Sequence, residues 1–183
     1  MISVIFVGMK FDLNKSIEIL ERTPGVIEVM LKGISTEWIM NNEGPDTWSP
    51  YDVVGHLIHG EKTDWMARLD IVLSDGKNKK FKPFDRFAQF EESKGKSLNA
   101  LLNEFKTIRK ENIIKLRIKK IESSDLSRKG IHPVFGEVTL KNLLSTWVAH
   151  DLSHIAQIAR VMAKQYKTEV GPWKEYLPIM TRS

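Results

Sequence analysis

Apolar residues recur at three- and four-residue spacing along most of this chain, and sustained period-two alternation is scarce. That pattern predicts helix after helix. Asp12 to Glu21 is a first stretch, with Phe11, Leu13, Ile17 and Leu20 as its apolar positions. Thr23-Pro24-Gly25 interrupts it. Thr23 can cap and Pro24 can start a continuation to about Lys32, so a single kinked element is expected. Asn41 to Trp48 is loop by composition. Ser49-Pro50 then opens a second helix, with Ser49 as cap, Pro50 in the first position and Asp52 in the first turn. It runs to about Leu73 on Val53, Val54, Leu57, Ile58, Trp65, Leu69 and Val72.

Ser74 to Pro83 reads as a solvated loop. A third helix spans about Ser97 to Ile121, striped by Leu98, Leu101, Leu102, Phe105, Ile108, Ile113, Leu116 and Ile121. Ser123 to Gly136 reads as loop, and Thr139 caps a fourth helix that continues to about Thr168. The tail from Val170 to Met180 carries Trp173 and Tyr176, and these aromatics predict that it packs back on the body. There is no internal repeat and no composition shift. The expectation is one all-α domain over residues 1–183, a four-helix bundle. Such bundles build metal sites from side chains on facing helices.

Composition narrows the function classes. The chain has 183 residues, 42% of them hydrophobic, which suits one globular domain with a sizeable core. No apolar run approaches the about 18 residues of a membrane-spanning helix, so no membrane partner is expected. Residues 1–8 (MISVIFVG) are apolar but too short and wrongly flanked for a signal peptide; with Met9 as an alternative start, they read as a disordered extension. The formal charge is +5, from 28 Lys and Arg against 23 Asp and Glu. Much of the excess sits at Lys77, Lys79, Lys80 and Lys82 and between Lys115 and Lys120, in runs that read as solvated surface. A tight basic face with interleaved aromatics is lacking, so no nucleic acid is expected, whereas an anionic small molecule stays open. Cysteine is absent, which excludes disulfides, thiolate ligands and a cysteine nucleophile. Any thiol chemistry must take its thiol from a substrate. The lack of cysteine is compatible with a cytoplasmic location.

Histidine carries the chemistry. His150 and His154 are spaced i,i+4 on the fourth helix, which sets their Cβ atoms roughly 5–6 Å apart on one face. Leu143, Leu144, Trp147, Val148, Leu152, Ile155 and Ile158 surround them. Imidazoles turned inward need partners, and a metal ion is one. His56, beside Gly55 in an apolar stretch, is the candidate third ligand, with His59 its competitor. Three histidines would leave coordination positions open, the form of a catalytic zinc site. Glu61 and Asp64 follow on the same helix and are candidate proton acceptors, ligand-orienting groups or surface carboxylates. Asp151 lies about 100° around the helix from His150 and suits a hydrogen bond to the outer nitrogen of another histidine. Gln157 is a substrate contact or a polar residue at a helix interface. His132 is an exposed loop residue or overhangs the mouth of the site.

At these residues the chain resembles the DinB/YfiT-like superfamily. The resemblance spans nearly the whole chain. It rests on Trp48-Ser49-Pro50, on Val54-Gly55-His56-Leu57-Ile58-His59-Gly60-Glu61 with Asp64-Trp65, and on His132-Pro133, Gly136 and Thr139-Leu140. Its most specific part is Trp147-Val148-Ala149-His150-Asp151-Leu152-Ser153-His154-Ile155-Ala156-Gln157-Ile158, followed by Gly171-Pro172-Trp173. The resemblance implies an up-down-down-up four-helix bundle, commonly a homodimer. It also implies one divalent metal, zinc or nickel, held by His56, His150 and His154. Family members include metal-dependent hydrolases and transferases that use low-molecular-weight thiols. The expected function is therefore a metal-dependent thiol transferase or hydrolase acting on a small-molecule substrate in detoxification or stress response. A non-catalytic metal-containing binding or stress-response protein is the alternative.

Overall fold

The computed structural model describes residues 8–181; residues 1–7, nearly all of the extension expected above, lie outside them. The helices are α1 (Leu13–Leu31), α2 (Thr36–Met40), α3 (Pro50–Thr63), α4 (Trp65–Leu73), α5 (Ala88–Ser93), α6 (Leu98–Ile118), α7 (Leu140–Lys164) and α8 (Pro178–Thr181). A hairpin of β1 (Lys129–His132) and β2 (Gly136–Thr139) precedes α7.

The expected caps form. Ser49 Oγ accepts the Asp52 N–H at 3.2 Å while the Asp52 carboxylate accepts the Ser49 N–H at 2.9 Å, a reciprocal capping box. Thr139 and Asn142 repeat the arrangement at the start of α7. The expected single element forms, since α1 runs through Pro24, but Thr23 does not cap; its hydroxyl donates to the Ile19 carbonyl at 3.1 Å. Pro24 has no N–H, so the Leu20 carbonyl loses its helical donor. Arg109 Nη1 supplies one at 2.8 Å.

Cross-helix pairs set the topology. Glu21 meets Arg117 and Glu28 meets Lys106, so α1 runs antiparallel to α6. The Tyr51 hydroxyl donates to the Lys96 carbonyl just before α6, while Glu61 meets Arg109 further along, so α3 runs parallel to α6. The pairs Trp48–His154, His56–His150 and Trp65–Trp147 run α3 and α4 antiparallel to α7. The bundle is therefore up-down-down-up.

Several details depart from the periodic reading. The second long helix breaks at Asp64 (φ −114°, ψ −70°) into α3 and α4, although its apolar spacing continues without interruption. The long helices α6 and α7 end a few residues earlier than expected, at Ile118 and Lys164. The hairpin occupies the end of a segment read as loop, an addition to the all-α core. It is pinned where Ile131 accepts the Phe81 N–H at 2.9 Å and donates to the Lys79 carbonyl at 2.8 Å. Gly130 sits against the Phe81 ring with no room for a Cβ. In the tail, α8 contacts α7, but Trp173 and Tyr176 are 69% and 82% exposed, so the aromatics do not pack back.

The core has two apolar clusters. One gathers Leu20, Trp65, Ile113 and Trp147; the other gathers Ile27, Ile58, Phe105 and Ile158. On each long helix a polar residue or proline falls between them in sequence: Pro24, Glu61, Arg109 and Asp151. These meet in one buried layer, described below.

Candidate metal centre

Two helices bring three imidazoles together. The capping box at Ser49 starts α3, and His56 follows two turns in, facing α7. His150 and His154 lie mid-way along α7, one turn apart. His150 Nε2 is 3.1 Å from His56 Nε2 and 3.1 Å from His154 Nε2, and the ligand atoms of all three lie within 4.8 Å of one another. Aromatic rings hold the imidazoles. Trp48 packs on His56 with centroids 4.7 Å apart, and Trp65 meets His150 edge-on at 5.1 Å.

Burial keeps these histidines neutral. It pushes His56 down to about 3, with His154, His59 and Arg86 adding to the effect. It pushes His150 down to about 2, with His154 and His56 adding. His154 is also lowered by burial, against the opposing hydrogen bond from Gln157 and the charge of Asp151. Neutral imidazole is the form that binds a metal.

The residues fit a divalent ion. Imidazole nitrogens bind zinc at about 2.0–2.1 Å, which in tetrahedral geometry separates neighbouring donors by about 3.3 Å, close to the spacing here. Gln157 Oε1 lies 2.8 Å from His154 Nδ1. Accepting that proton fixes the tautomer and turns the Nε2 lone pair toward the other two rings. The Nδ1 atoms of His56 and His150 are buried with no hydrogen-bond partner among the described residues.

The cluster opens into a cavity of about 530 Å³. Trp48, Trp65 and Phe84 form apolar wall, and Asp64, Arg68, Arg86, Arg160, Gln157 and His132 supply polar groups. Arg160 is bound to Glu43 through Nε and Nη2 at 2.9 Å each, and Arg68 Nε lies 2.5 Å from Asp64 Oδ1. Burial pushes the Asp64 carboxyl up, opposed by Arg68.

The other residues singled out from the sequence divide. Gln157 and Asp64 line the cavity, and so does His132, the half-buried end of β1. His59 does not join the trio: its Nδ1 lies 2.9 Å from Glu92 Oε1, beside a neighbouring cavity. Glu61 and Asp151 lie in the buried polar layer. Arg109 Nη1 donates to Asp151 Oδ2 at 2.5 Å, and Nη2 donates to Asp151 Oδ1 at 3.0 Å and Glu61 Oε1 at 2.8 Å. Trp147 Nε1 and Asn112 Nδ2 complete the shell of Glu61, at 3.0 and 2.9 Å. Burial alone would lower the Arg109 pKa, and the two carboxylates more than offset it. Asp151 makes no hydrogen bond to a histidine among the described residues; its charge raises the His154 pKa. Arg109 and Asn112 were not anticipated. Their signal is their position: they continue the buried stripe Leu101, Phe105, Ile113, Leu116, where a polar residue needs a buried partner.

A helical bundle with three convergent histidines between facing helices defines the class of protein. The family model of the DinB superfamily matches residues 19–158, and the chain belongs to that superfamily. Its fold is similar to that of YfiT from Bacillus subtilis, with a TM-score of 0.71 and 20% sequence identity over 88% of this chain and 91% of that chain. YfiT is described as a probable metal-dependent hydrolase with an unusual four-helix bundle topology. No curated protein matches the chain. Among the described residues no helix is long and apolar enough to cross a membrane.

Proposed function

We propose that this protein is a metal-dependent enzyme in which His56, His150 and His154 hold one zinc or nickel ion and a small-molecule thiol is transferred to an electrophile. The observation that carries this reading is the convergence of three neutral imidazoles, with His150 Nε2 3.1 Å from the Nε2 atoms of both His56 and His154, at the wall of a cavity large enough for a small substrate. A divalent ion held there would supply a Lewis acid that lowers the pKa of a thiol or of water. The protein's own part is to keep the imidazoles unprotonated by burial, to orient His154 through Gln157, and to shield the cluster with Trp48 and Trp65.

Thiol transfer is favoured because it needs no separate general base. Of the two carboxylates considered for that role, Glu61 is saturated by Arg109, Asn112 and Trp147 and does not line the cavity. Hydrolysis is the second reading, and one observation favours it: Asp64 lines the cavity with a carboxyl pushed up by burial. YfiT's description as a probable metal-dependent hydrolase also supports it. The two readings separate in one assay. Zinc- or nickel-loaded protein is given a thiol with an aryl halide acceptor, and in parallel a panel of activated esters and amides. Thiol transfer lost in His150→Ala but kept in Asp64→Asn supports the first reading. Thiol-independent hydrolysis lost in both variants supports the second. A metal-loaded protein inactive in every assay returns the non-catalytic binding protein.

A further inference from the structure

The charges around the cavity do not cancel evenly. Three arginines line it. Arg160 is neutralised by Glu43 and Arg68 by Asp64. Arg86 has no hydrogen-bond or ion-pair partner among the described residues. The adjacent carboxylate does not serve it: Asp85 Oδ1 accepts the backbone N–H groups of Phe87 and Ala88 at 2.9 and 3.2 Å. Instead the guanidinium lies over two rings, with Cζ 5.4 Å from the Trp48 centroid and 5.2 Å from that of Phe87. Cation–π contact of this kind occupies none of the guanidinium N–H donors. Trp48 joins this cation to the histidines, because the same indole packs on the His56 ring at 4.7 Å.

We propose that Arg86 is the anion-recognition residue of this cavity, and that the substrate or thiol it admits carries a carboxylate or phosphoryl group. The guanidinium fork matches the paired oxygens of either group. Trp48 then lies beneath the bound anion as an apolar spacer, and the rest of the molecule reaches toward His56, His150 and His154. The inference deepens the proposed function by naming the substrate's charge.

The test compares two thiols of similar size on metal-loaded protein by calorimetry: 3-mercaptopropionate, which carries a carboxylate, and 2-mercaptoethanol, which does not. Wild type is expected to prefer the anionic thiol by about ten-fold, the effect of one charge-assisted hydrogen-bonded contact. Arg86→Gln abolishes the preference, leaves the affinity for 2-mercaptoethanol within about two-fold and leaves metal content unchanged. Asp46→Asn, which removes an acidic lining residue with no ion pair among the described residues, keeps the preference. An equal preference in wild type and Arg86→Gln overturns the inference. A second measurement stands apart from the metal. Metal-free protein is titrated with propionate and, separately, with inorganic phosphate, following the Trp48 indole N–H by NMR. Saturable shifts in wild type that weaken about ten-fold in Arg86→Gln sustain the proposal, and the tighter of the two anions identifies the group. Identical titrations in both proteins overturn it. If this titration succeeds while no thiol binds the metal-loaded protein, the thiol reading fails and the anion site stands.

Discussion

Arg109 Nη1 donates to the Leu20 carbonyl at 2.8 Å, and that carbonyl is the one that Pro24 leaves without a helical donor. One buried guanidinium thus repairs α1 while binding Glu61 of α3 and Asp151 of α7. Three bundle helices are tied to α6 through this one side chain, whose partner Asp151 is the neighbour of His150 in sequence. Arg109→Met strands two buried carboxylates and is expected to cost about 3–5 kcal/mol, measured by urea unfolding. Pro24→Ala restores the missing N–H. The double mutant should therefore lose less than the sum of the single changes, with a coupling of about 0.5 kcal/mol or more. Strict additivity would show that the Leu20 contact is idle.

Acid should weaken the metal-free protein through its histidines. His56 and His150 have pKa values pushed down to about 3 and about 2, from an ordinary value near 6.5. Between those limits the unfolded chain binds more protons than the folded one, so folding stability rises with pH across this window. It is fully present above about pH 6.5 and falls as the pH drops toward 3. Thermal melts of metal-free protein across this window should show a declining Tm, with a shallower decline in His150→Gln. Parallel slopes in the two proteins would contradict the assignment of these groups as buried and neutral.

Gln157 should govern how tightly a metal is held without touching it. Its Oε1 lies 2.8 Å from His154 Nδ1. Removing such an outer partner typically costs 10–100-fold in metal affinity, so Gln157→Leu should weaken zinc binding by about that factor in a chelator competition. Gln157→Glu, which keeps an acceptor at the same reach, should restore most of it. An unchanged Kd in Gln157→Leu would leave the residue as a cavity-lining group only.

The long helices and their caps were legible because burial on one face imposes the 3.6-residue period and because Ser49 and Thr139 advertise helix starts. The histidine pair was legible for the same reason, since i,i+4 spacing fixes a shared face. What spacing does not encode is the partner across the bundle. Asp151 was placed by its distance from His150, yet Arg109, 42 positions away in the chain, claims its carboxylate. Glu61 looked available for chemistry beside Asp64, and only the packing of α6 and α7 shows it enclosed by Arg109, Asn112 and Trp147. The break at Asp64 and the β1–β2 hairpin left no periodic trace. The first keeps the apolar stripe in phase, and the second is four residues per strand. Arg86 sits in a stretch with no periodicity, so its place over Trp48 follows from the fold alone.

Whether His56, His150 and His154 form a metal centre is decided by the metal content of untagged protein, measured by mass spectrometry on wild type beside His150→Ala, the variant that removes the imidazole shared by both 3.1 Å contacts. Close to one equivalent of zinc or nickel is expected in wild type and almost none in a folded His150→Ala. Wild-type protein that carries no metal and takes up neither ion on addition would rule out the metal centre.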